Sequence, residues 1–443
     1  MKPFARMVEK FARCRDGGMT ILSLFIVMAM LITGGIAVDY ANLHAEKQQL
    51  QITAESVAHA ALLTSEKKTQ AEAIQAGLAM AERNMPASVY GKVVDAKDIV
   101  FGYWDRPTST FVPNAPPPPN VGLAVQVTTH RSAAGGNAIA ALFYKSLGIN
   151  SWDARAQATY ERYKSACLHD GMLANGYVNI QSNNTFINKF CLHSNDHVVM
   201  NSNNYFEGGV YVSMPDLANL QLPMSGLTSN LGLGDALTYG SMDLRVLDTL
   251  AWRIQNLYDP KWDGQPDYIR SAVVKDINLI TVKNAGETAF FKNRVNIAVC
   301  LSESSTIQIA ANSLLQNLVF VTNCQIRFGA NVRVEDVIIA TSNTALDSMS
   351  APSGLVLGKN DNCAPGGGAI LLSMGSIRTA ANLEMYNSQI IVMGSMNFAA
   401  RANGMMGASI IAGGNIDSTS AINMGLCLDG FQGIEADYFH MVN

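Results

Sequence analysis

The first strong pattern in the chain is an uncharged apolar run at residues 19–38, which reads MTILSLFIVMAMLITGGIAV. A helix of this length covers roughly 30 Å, the thickness of the hydrocarbon core of a bilayer. The pattern therefore predicts a transmembrane helix from Met19 to Val38. A cleaved secretory signal is the alternative, because a basic segment precedes the run. The length of the run and the lack of a good small-x-small cleavage site favour a retained anchor.

Beyond the apolar run, the sequence keeps a helical pattern as far as Asn84. Proline is absent between Asp39 and Asn84, glycine is absent before Gly77, and Ala, Glu, Gln, Lys and Leu dominate. Apolar residues recur there every seven positions, at Ile36, Leu43, Leu50 and Val57. This stripe predicts an exported amphipathic helix over 39–84, which packs either on another helix or on the protein's own globular part.

Residues 85–165 predict a small α/β module. Two segments, 99–104 and 121–129, alternate apolar and polar positions as strands do, and 152–163 is a third strand candidate. The apolar segment 137–147 predicts a packed helix. A long N-terminal helix on a small antiparallel sheet would be a pilin-like arrangement.

In the C-terminal half, short β-branched or apolar runs recur about every twenty residues. They start at Asn296, Leu318, Val337, Ile370, Ile390 and Ile410. Units of this size cannot bury an apolar face alone and have to stack on neighbours. The repeat predicts a parallel β-helix over 291–430. A shorter tract with the same character occupies 166–213, and a segment with helical periodicity lies between the two.

The fold class predicted from these patterns is mixed α and β. In chain order, the predicted segments are a cytoplasmic basic tail (1–18), a transmembrane helix (19–38), an exported amphipathic helix (39–84), a pilin-like α/β module (85–165), a first β-helix tract (166–213), a helical insertion (214–290), the main β-helix or β-solenoid (291–430) and a C-terminal cap or tail (431–443).

The charges around the apolar run predict its orientation. Five basic and two acidic residues precede it, whereas the residues just after it are mixed and slightly acidic. Lys and Arg concentrate on the cytoplasmic side of a span. We therefore expect a span in the inner (plasma) membrane, a cytoplasmic N-terminus and an extracytoplasmic or periplasmic bulk. The net charge of −4 comes without a basic patch or a phosphate-binding loop, so no nucleic-acid partner is predicted.

The cysteines fit this topology. Cys14 precedes the span, and six cysteines follow it: Cys167, Cys191, Cys300, Cys324, Cys363 and Cys427. An even number of thiols in an oxidising compartment predicts disulfides, but six thiols allow 15 connectivities, and buried free thiols are the alternative. Two pairs, Cys167 with Cys191 and Cys300 with Cys324, share a separation of 24 positions. Neighbouring stacked strands are close enough for such bonds.

No arrangement of side chains predicts catalysis. Enzymes with a β-helix often act on polysaccharides and need clustered carboxylates with basic residues. The charged residues of segment 369–424 are few and widely spaced: Arg378, Glu384, Arg401 and Asp417. His169 and His193 lack a third metal ligand, and Trp104 with Asp105 is typical of a core aromatic before a turn. We therefore predict no enzyme activity, cofactor, metal or small-molecule substrate.

The N-terminal third of the chain resembles a known family. Asp16-Gly17-Gly18 precedes the apolar span, AVDYANL and Gln48-Gln49-Leu50-Gln51 follow it, and IVFGYWD stands at 99–105. In order and spacing these elements resemble the TadE/TadG-like proteins of tight-adherence (Flp-type) pilus assembly, over residues 13–165. The resemblance implies a minor, membrane-anchored, non-catalytic role in building or anchoring a pilus. It also implies pilus-assembly or pilin proteins as partners, with a homo-oligomer left open.

One departure bears on processing. Ser23 occupies the position at which peptidase-processed pseudopilins carry Glu, so a permanent anchor is favoured over cleavage at Gly18. The sequence thus predicts a structural component of pilus assembly that acts through protein contacts. A membrane-tethered β-helix protein that binds or cleaves polysaccharide is the alternative, and a row of stacked acids or aromatics would favour it. A generic envelope scaffold is a third interpretation.

Overall fold

The computed structural model describes residues 18–118, 121–164, 167, 171–270, 277–279, 284–362, 364–418, 422–425, 427 and 433–442. The predicted cytoplasmic tail, Cys14, His169 and Cys363 lie outside these residues. The chain divides into two compact units, Met1–Tyr163 with Tyr438–Asn443, and Lys164–Asp437. The architecture is mixed α and β, with an apolar N-terminal helix and a large β-rich unit.

The first unit combines two long helices with a five-stranded sheet. Its helices are α1 (Gly18–Thr64), α2 (Gln70–Asn84) and α3 (Ala87–Tyr90), with 3₁₀ turns at Ala96–Asp98 and Tyr144–Leu147. Its strands are β1 (Ile99–Asp105), β2 (Thr110–Pro113), β3 (Leu123–Arg131), β4 (Ile139–Ala140), β5 (Ser151–Trp152), β6 (Ala154–Lys164) and the C-terminal strand Asp437–Met441. The sheet order is β2-β1-β3-β6-C-terminal strand, and β1 and β3 pair antiparallel with their neighbours. β4 and β5 form a separate pair.

The single helix predicted over 39–84 is a helical hairpin in the structure. α1 ends at Thr64, and α2 begins after Thr69. The Thr69 side chain accepts a hydrogen bond from the Glu72 N–H, and the Glu72 carboxylate accepts one from the Thr69 N–H at 3.0 Å. This T-x-x-E capping box is visible in the sequence, but no proline or glycine in residues 62–70 marks the break. The prediction of one continuous helix is therefore wrong at this point.

The C-terminal half of α1 and the whole of α2 share a core with the sheet. Its members are Ala54, Val57, Ala58, Ala61, Leu62, Ala73, Ala81, Val94, Ile99, Phe101, Val125, Val127 and Ala158. Leu50 and Val57 of the seven-residue stripe are fully buried. The Thr129 hydroxyl donates a hydrogen bond to the Leu50 carbonyl at 2.9 Å. The stripe therefore packs on the protein's own globular part, which was one of the two predicted alternatives.

The helix predicted over 137–147 is replaced by the two-residue strand Ile139–Ala140 and the 3₁₀ turn Tyr144–Leu147. The backbone N–H groups of residues 142–144 donate to the side chain of Asp39. Backbone donors bonded in this way are not available to a helical ladder. A carboxylate far away in the sequence thus overrides the local periodicity.

The second unit is built on a 23-stranded sheet. Its strands are β7 (Gly171–Ala174), β8 (Val178–Ile180), β9 (Thr185–Phe186), β10 (Cys191–Ser194), β11 (Val198–Met200), β12 (Asn204–Phe206), β13 (Tyr211–Met214), β14 (Asn230–Leu231), β15 (Leu237–Tyr239), β16 (Ile277–Leu279), β17 (Asn284–Ala285), β18 (Val295–Ala298), β19 (Thr306–Ile309), β20 (Leu314–Thr322), β21 (Gln325–Phe328), β22 (Arg333–Thr341), β23 (Met349–Ala351), β24 (Val356–Leu357), β25 (Ala369–Ser373), β26 (Ile377–Val392), β27 (Met396–Ala412), β28 (Ile416–Asp417) and β29 (Asn423–Gly425). Its helices are α4 (Leu233–Ala236), α5 (Arg245–Asp248), α6 (Leu250–Asn256) and α7 (Asp267–Arg270), with 3₁₀ turns at Leu217–Asn219, Gly226–Ser229 and Glu287–Ala289.

The strand pairs of this sheet are parallel, and many join segments about twenty residues apart. Of the predicted repeat positions, Ile390 pairs with Ile410. Ile390 pairs with Leu371, not with Ile370, on the other side. The step between these two strands is therefore one residue shorter than the sequence pattern predicts.

The order of the strands in the sheet does not follow their order in the chain. Ser409 pairs with Gly171 and Ala412 with Ala174, so strands near the end of the unit lie beside those that begin it. From β7 the pairing proceeds to Leu237–Tyr239. The later strands start again at Ile277–Leu279, which pairs with β18. The two predicted tracts are therefore direct neighbours.

Two predicted segment boundaries change in the structure. The predicted insertion over 214–290 is only partly helical, because Asn230–Leu231 and Leu237–Tyr239 pair with the sheet. The C-terminal cap or tail predicted over 431–443 instead supplies Asp437–Met441, an edge strand of the sheet in the first unit. Local patterns do not reveal these long-range pairings.

The apolar runs of the second unit are buried on both faces. In β22, Val337 and Ile339 point into the main core, while the alternate residues Ile338 and Ala340 are also buried. Helices α6 and α7 lie against β25 and β20, on the same column of strands. Strands covered on both faces read as continuous hydrophobic runs, which explains the VIIA pattern.

A buried asparagine ladder runs across the turns of neighbouring strands. The Asn184 N–H donates to the Asn204 Oδ1 at 2.8 Å, and the Asn204 N–H donates to the Asn230 Oδ1 at 3.0 Å. On the other side, the Ile422 N–H donates to the Asn184 Oδ1 at 3.0 Å. These side chains satisfy backbone donors that the turns leave without strand partners. Because its three asparagines are 20 and 26 residues apart, local sequence patterns do not reveal this ladder.

Candidate membrane-proximal site

The N-terminal half of α1 exposes a continuous apolar surface. Its exposed large side chains include Ile21, Leu22, Leu24, Phe25, Ile26, Val27, Met28, Met30, Leu31 and Ile32. Among the described residues, α1 is the one helix long and apolar enough to cross a membrane. An uncovered apolar surface of this extent is unfavourable in water. The segment 19–38 is therefore a candidate transmembrane helix.

Asp39 lies directly after the apolar run, and its side chain is buried. Its Oδ1 accepts the N–H of Leu142 at 2.9 Å, and its Oδ2 accepts those of Phe143 at 2.9 Å and Tyr144 at 2.7 Å. Burial raises the pKa of Asp39, but the three backbone hydrogen bonds together lower it below the ordinary value of 3.8. The carboxylate is thus charged at neutral pH and fixes this loop to α1.

Phe143 approaches α1 closely at Gly35. A Cβ atom built at Gly35 would come within 2.8 Å of the Phe143 ring, whereas one built at Gly34 meets nothing within 4 Å. Only glycine permits the aromatic ring to lie this close to the helix backbone. The sequence patterns assign no role to Gly35 or to Asp39. The signal that could have identified Asp39 is a lone carboxylate at the end of an apolar run.

A charged contact further along α1 holds the same region. Arg131 Nη1 lies 2.6 Å from Glu46 Oε2, with both side chains largely buried. Arg131 Nε donates to the Asn137 carbonyl at 2.9 Å, and its guanidinium lies 5.6 Å from the ring centre of Tyr90. A partly buried, bonded pair of this kind is more effective than an exposed one. Asp39 and Glu46 thus tie the base of the candidate span to the sheet module.

The structure forms two of the candidate disulfides, Cys167–Cys191 and Cys300–Cys324. Ala298 pairs with Thr322, so the second bond joins residues at the same offset as the strand register. In the first bond the register partner of Cys191 is Gly171, and the bonded cysteine lies four residues before it. The shared separation of 24 thus has two structural origins. Cys427 is also disulfide-bonded, and Cys363 lies outside the described residues.

The structure gives packing and hydrogen-bonding roles to His193, Trp104 and Asp105. His193 is buried, its Nδ1 lies 2.8 Å from the Ser213 hydroxyl, and its Nε2 lies 2.9 Å from the Asn195 Oδ1. Burial lowers the pKa of His193. Trp104 is half-buried, and Asp105 accepts a hydrogen bond from a threonine hydroxyl in the following turn. Within the described part of the chain, no three His, Cys, Asp or Glu side chains are placed to hold a metal.

We expect Asp39→Ala to release the loop from α1. The N–H groups of residues 142–144 would lose their acceptor, so their hydrogen exchange in detergent should become at least several-fold faster. Asp105→Ala, which removes a carboxylate at the end of β1, is the control and should leave this exchange unchanged. Unaltered protection of residues 142–144 in Asp39→Ala would contradict the assigned role.

The three hydrogen bonds that Asp39 accepts should also respond to pH. Because the pKa of Asp39 is lowered in the fold, the unfolded chain takes up a proton first as the pH falls. The stabilisation that Asp39 contributes to the fold is therefore fully present above pH 3.8 and is lost as the pH falls through the lowered pKa of the folded state. Protection of the loop amides from hydrogen exchange should follow this course in the wild type and not in Asp39→Ala.

Comparisons with known proteins give three family matches. Residues 17–81 match the family described as Flp pilus-assembly TadE/G-like, and residues 57–159 match the one described as Tad-like Flp pilus-assembly. Residues 171–428, more than half of the chain, match a domain of unknown function, DUF7867. No curated protein and no solved structure shows significant similarity to the chain.

Proposed function

We propose a specific role for this chain, which belongs to the TadE/TadG-like family of Flp pilus-assembly proteins and, through residues 171–428, to the DUF7867 family. The chain is a pilus-assembly component. In our proposal it is a structural one, anchored in the inner membrane by residues 19–38, with a cytoplasmic N-terminus. The chain beyond residue 38 lies outside the cytoplasm and acts through contacts with other pilus-assembly or pilin proteins.

The observation that carries this proposal is the continuity of α1. One helix of 47 residues begins as an exposed apolar segment and ends as part of a packed core. The exposed segment calls for a lipid environment, while the packed segment belongs to an α/β module of pilin-like arrangement. The chain thereby connects a membrane directly to a rigid body. The excess of basic residues before the span supports the proposed orientation.

We also propose that the 23-stranded sheet of the second unit coils into a parallel β-helix. Parallel pairing at intervals of about twenty residues, the asparagine ladder and a single long core support this geometry. A β-helix presents a long, stiff face, which suits a protein-binding scaffold. Self-association into a homo-oligomer remains part of the proposal.

Replacing residues 1–38 by a cleavable export signal tests the anchor. We expect the mature protein to appear in the soluble periplasmic fraction with its disulfides formed, and pilus assembly to fall to the level of a deletion strain. A matched control replaces only residues 19–38 by an unrelated apolar span, which should keep the protein in the membrane fraction. If the version without residues 1–38 stays membrane-bound after alkaline extraction, or supports normal piliation, the proposed anchoring role is wrong.

A further inference from the structure

We propose that residues 142–149, here called the 142–149 loop, insert into the bilayer beside the anchor and give the first unit a second membrane contact. This inference rests on the proposed membrane anchor. The partner is a phospholipid bilayer, at the boundary of headgroups and acyl chains on the side of the exported units.

The depth of the loop follows from its contact with α1. Phe143 lies against Gly35, which belongs to the apolar run that ends at Val38. Three residues of helix correspond to about 4.5 Å along the axis. If Val38 marks the edge of the hydrocarbon core, the Phe143 ring lies below that edge. This depth is within the range of side chains that insert at a membrane interface.

The surface of the loop has the composition of an interfacial segment. The side chain of Leu142 is 60% exposed and that of Phe143 51% exposed, and Ile149 is exposed as well. Tyr144 packs edge-on against Trp152 with ring centres 5.1 Å apart, and Lys145 is exposed. Tyr and Trp are enriched at headgroup level, and a lysine there can reach lipid phosphates. In water, these exposed apolar side chains would be unfavourable.

The loop is held in this position by backbone bonds that do not depend on its side chains. Asp39 accepts three consecutive N–H groups of the loop through main-chain bonds, and the side chains of Leu142 and Phe143 are at least half exposed. The same bonds neutralise most of the cost of placing the Asp39 carboxylate near lipid. Phe143 of the loop is half exposed and lies against Gly35 of the span, so the exposed apolar surface of the loop is continuous with that of the span. This continuity favours lipid as the occupant.

A nitroxide label at three sites tests the inference in the full-length chain. In a Cys14→Ser background, Leu142→Cys, Ile32→Cys and Val89→Cys are labelled without reductant and reconstituted into phosphatidylethanolamine–phosphatidylglycerol vesicles. Collision rates with oxygen, which enriches in lipid, and with a nickel chelate, which stays in water, are measured. Ile32 reports on the anchor, and Val89, which is 70% exposed, reports on an aqueous position of the same unit.

We expect the ratio of oxygen to nickel accessibility at Leu142 to resemble that at Ile32 and to exceed that at Val89 severalfold. Nickel accessibility at Leu142 like that at Val89, with Ile32 in lipid, would overturn the inference and leave the anchor intact. Low accessibility to both reagents at Leu142 would also overturn it, because protein rather than lipid would then cover the loop. An aqueous Ile32 would instead refute the proposed anchor.

A charge in the loop provides a second measurement. Leu142→Asp should leave the backbone bonds to Asp39 in place, because they use main-chain donors. A label at Ile149 should then shift from lipid-like to water-like accessibility while the label at Ile32 stays in lipid. Val89→Asp, which adds the same charge at an exposed position outside the loop, is the matched control and should leave the Ile149 label in lipid. No shift in Leu142→Asp would count against insertion of the loop.

Discussion

Replacing Phe320 by alanine is expected to lower the free energy of unfolding of the second unit by about 3–5 kcal/mol. Phe320 is fully buried and packs edge-on against Phe290 with ring centres 5.2 Å apart. Its strand is paired on both sides, with Asn296 and Ile339 opposite Phe320. Strands fixed on both sides relax little, so a cavity should remain in place of the ring.

Thermal unfolding in detergent, followed by the loss of β-sheet circular dichroism, measures this effect. We expect the midpoint of the second unit to fall by about 10 °C. Phe291→Ala is the matched control, because Phe291 is exposed and contacts mainly the Arg294 guanidinium at 5.2 Å. It should cost about 0.5–1 kcal/mol. Equal effects of the two substitutions would mean that Phe320 does not lie in the core.

Removing the Cys300–Cys324 bond is the second large effect that we expect. The double substitution Cys300→Ser with Cys324→Ser should lower the stability of the second unit by about 2–4 kcal/mol, because the unfolded chain is no longer constrained. The bond joins neighbouring parallel strands whose residues Ala298 and Thr322 are already paired. The pairing itself should therefore survive in the folded state.

The unfolding midpoint with and without dithiothreitol distinguishes this bond from the other disulfides. The wild type should lose stability on reduction, and the double variant should lose less. Cys14→Ser is the control, because the predicted cytoplasmic thiol should not affect the second unit. A double variant as stable as the wild type would show that the cross-link contributes nothing beyond the strand pairing.

Local sequence patterns predicted those helices and strands that are determined by residues close together in the sequence. The candidate span is uncharged over its whole length, and α2 ends at Asn84 before Pro86, so both could be read from the sequence. The break before Thr69 was also visible as a capping box, but the absence of proline and glycine around it concealed it. The twenty-residue repeats predicted strands, yet a repeat does not specify which strands become neighbours.

The candidate site depends on residues far apart in the sequence. Asp39 meets residues 142–144 about a hundred positions later, and Phe143 fills the space that Gly35 leaves. Taken singly, each of these residues has an ordinary local explanation. Asp39 follows an apolar run, Phe143 belongs to an apolar segment, and Gly35 is one small residue within the span. Only the tertiary contact shows that they form one unit. For the same reason, the segment 137–147 has a helical composition and a different structure.

The pairing of Gly171–Ala174 with Ser409–Ala412 has a consequence for biogenesis. A ribosome completes the first of these strands more than two hundred residues before the second. During synthesis, β7 therefore has an unpaired edge, and this part of the sheet can form only after the chain has been made as far as residue 412. Pairing between segments this far apart in the sequence forms slowly, and until it forms the unpaired strand edges are exposed to aggregation.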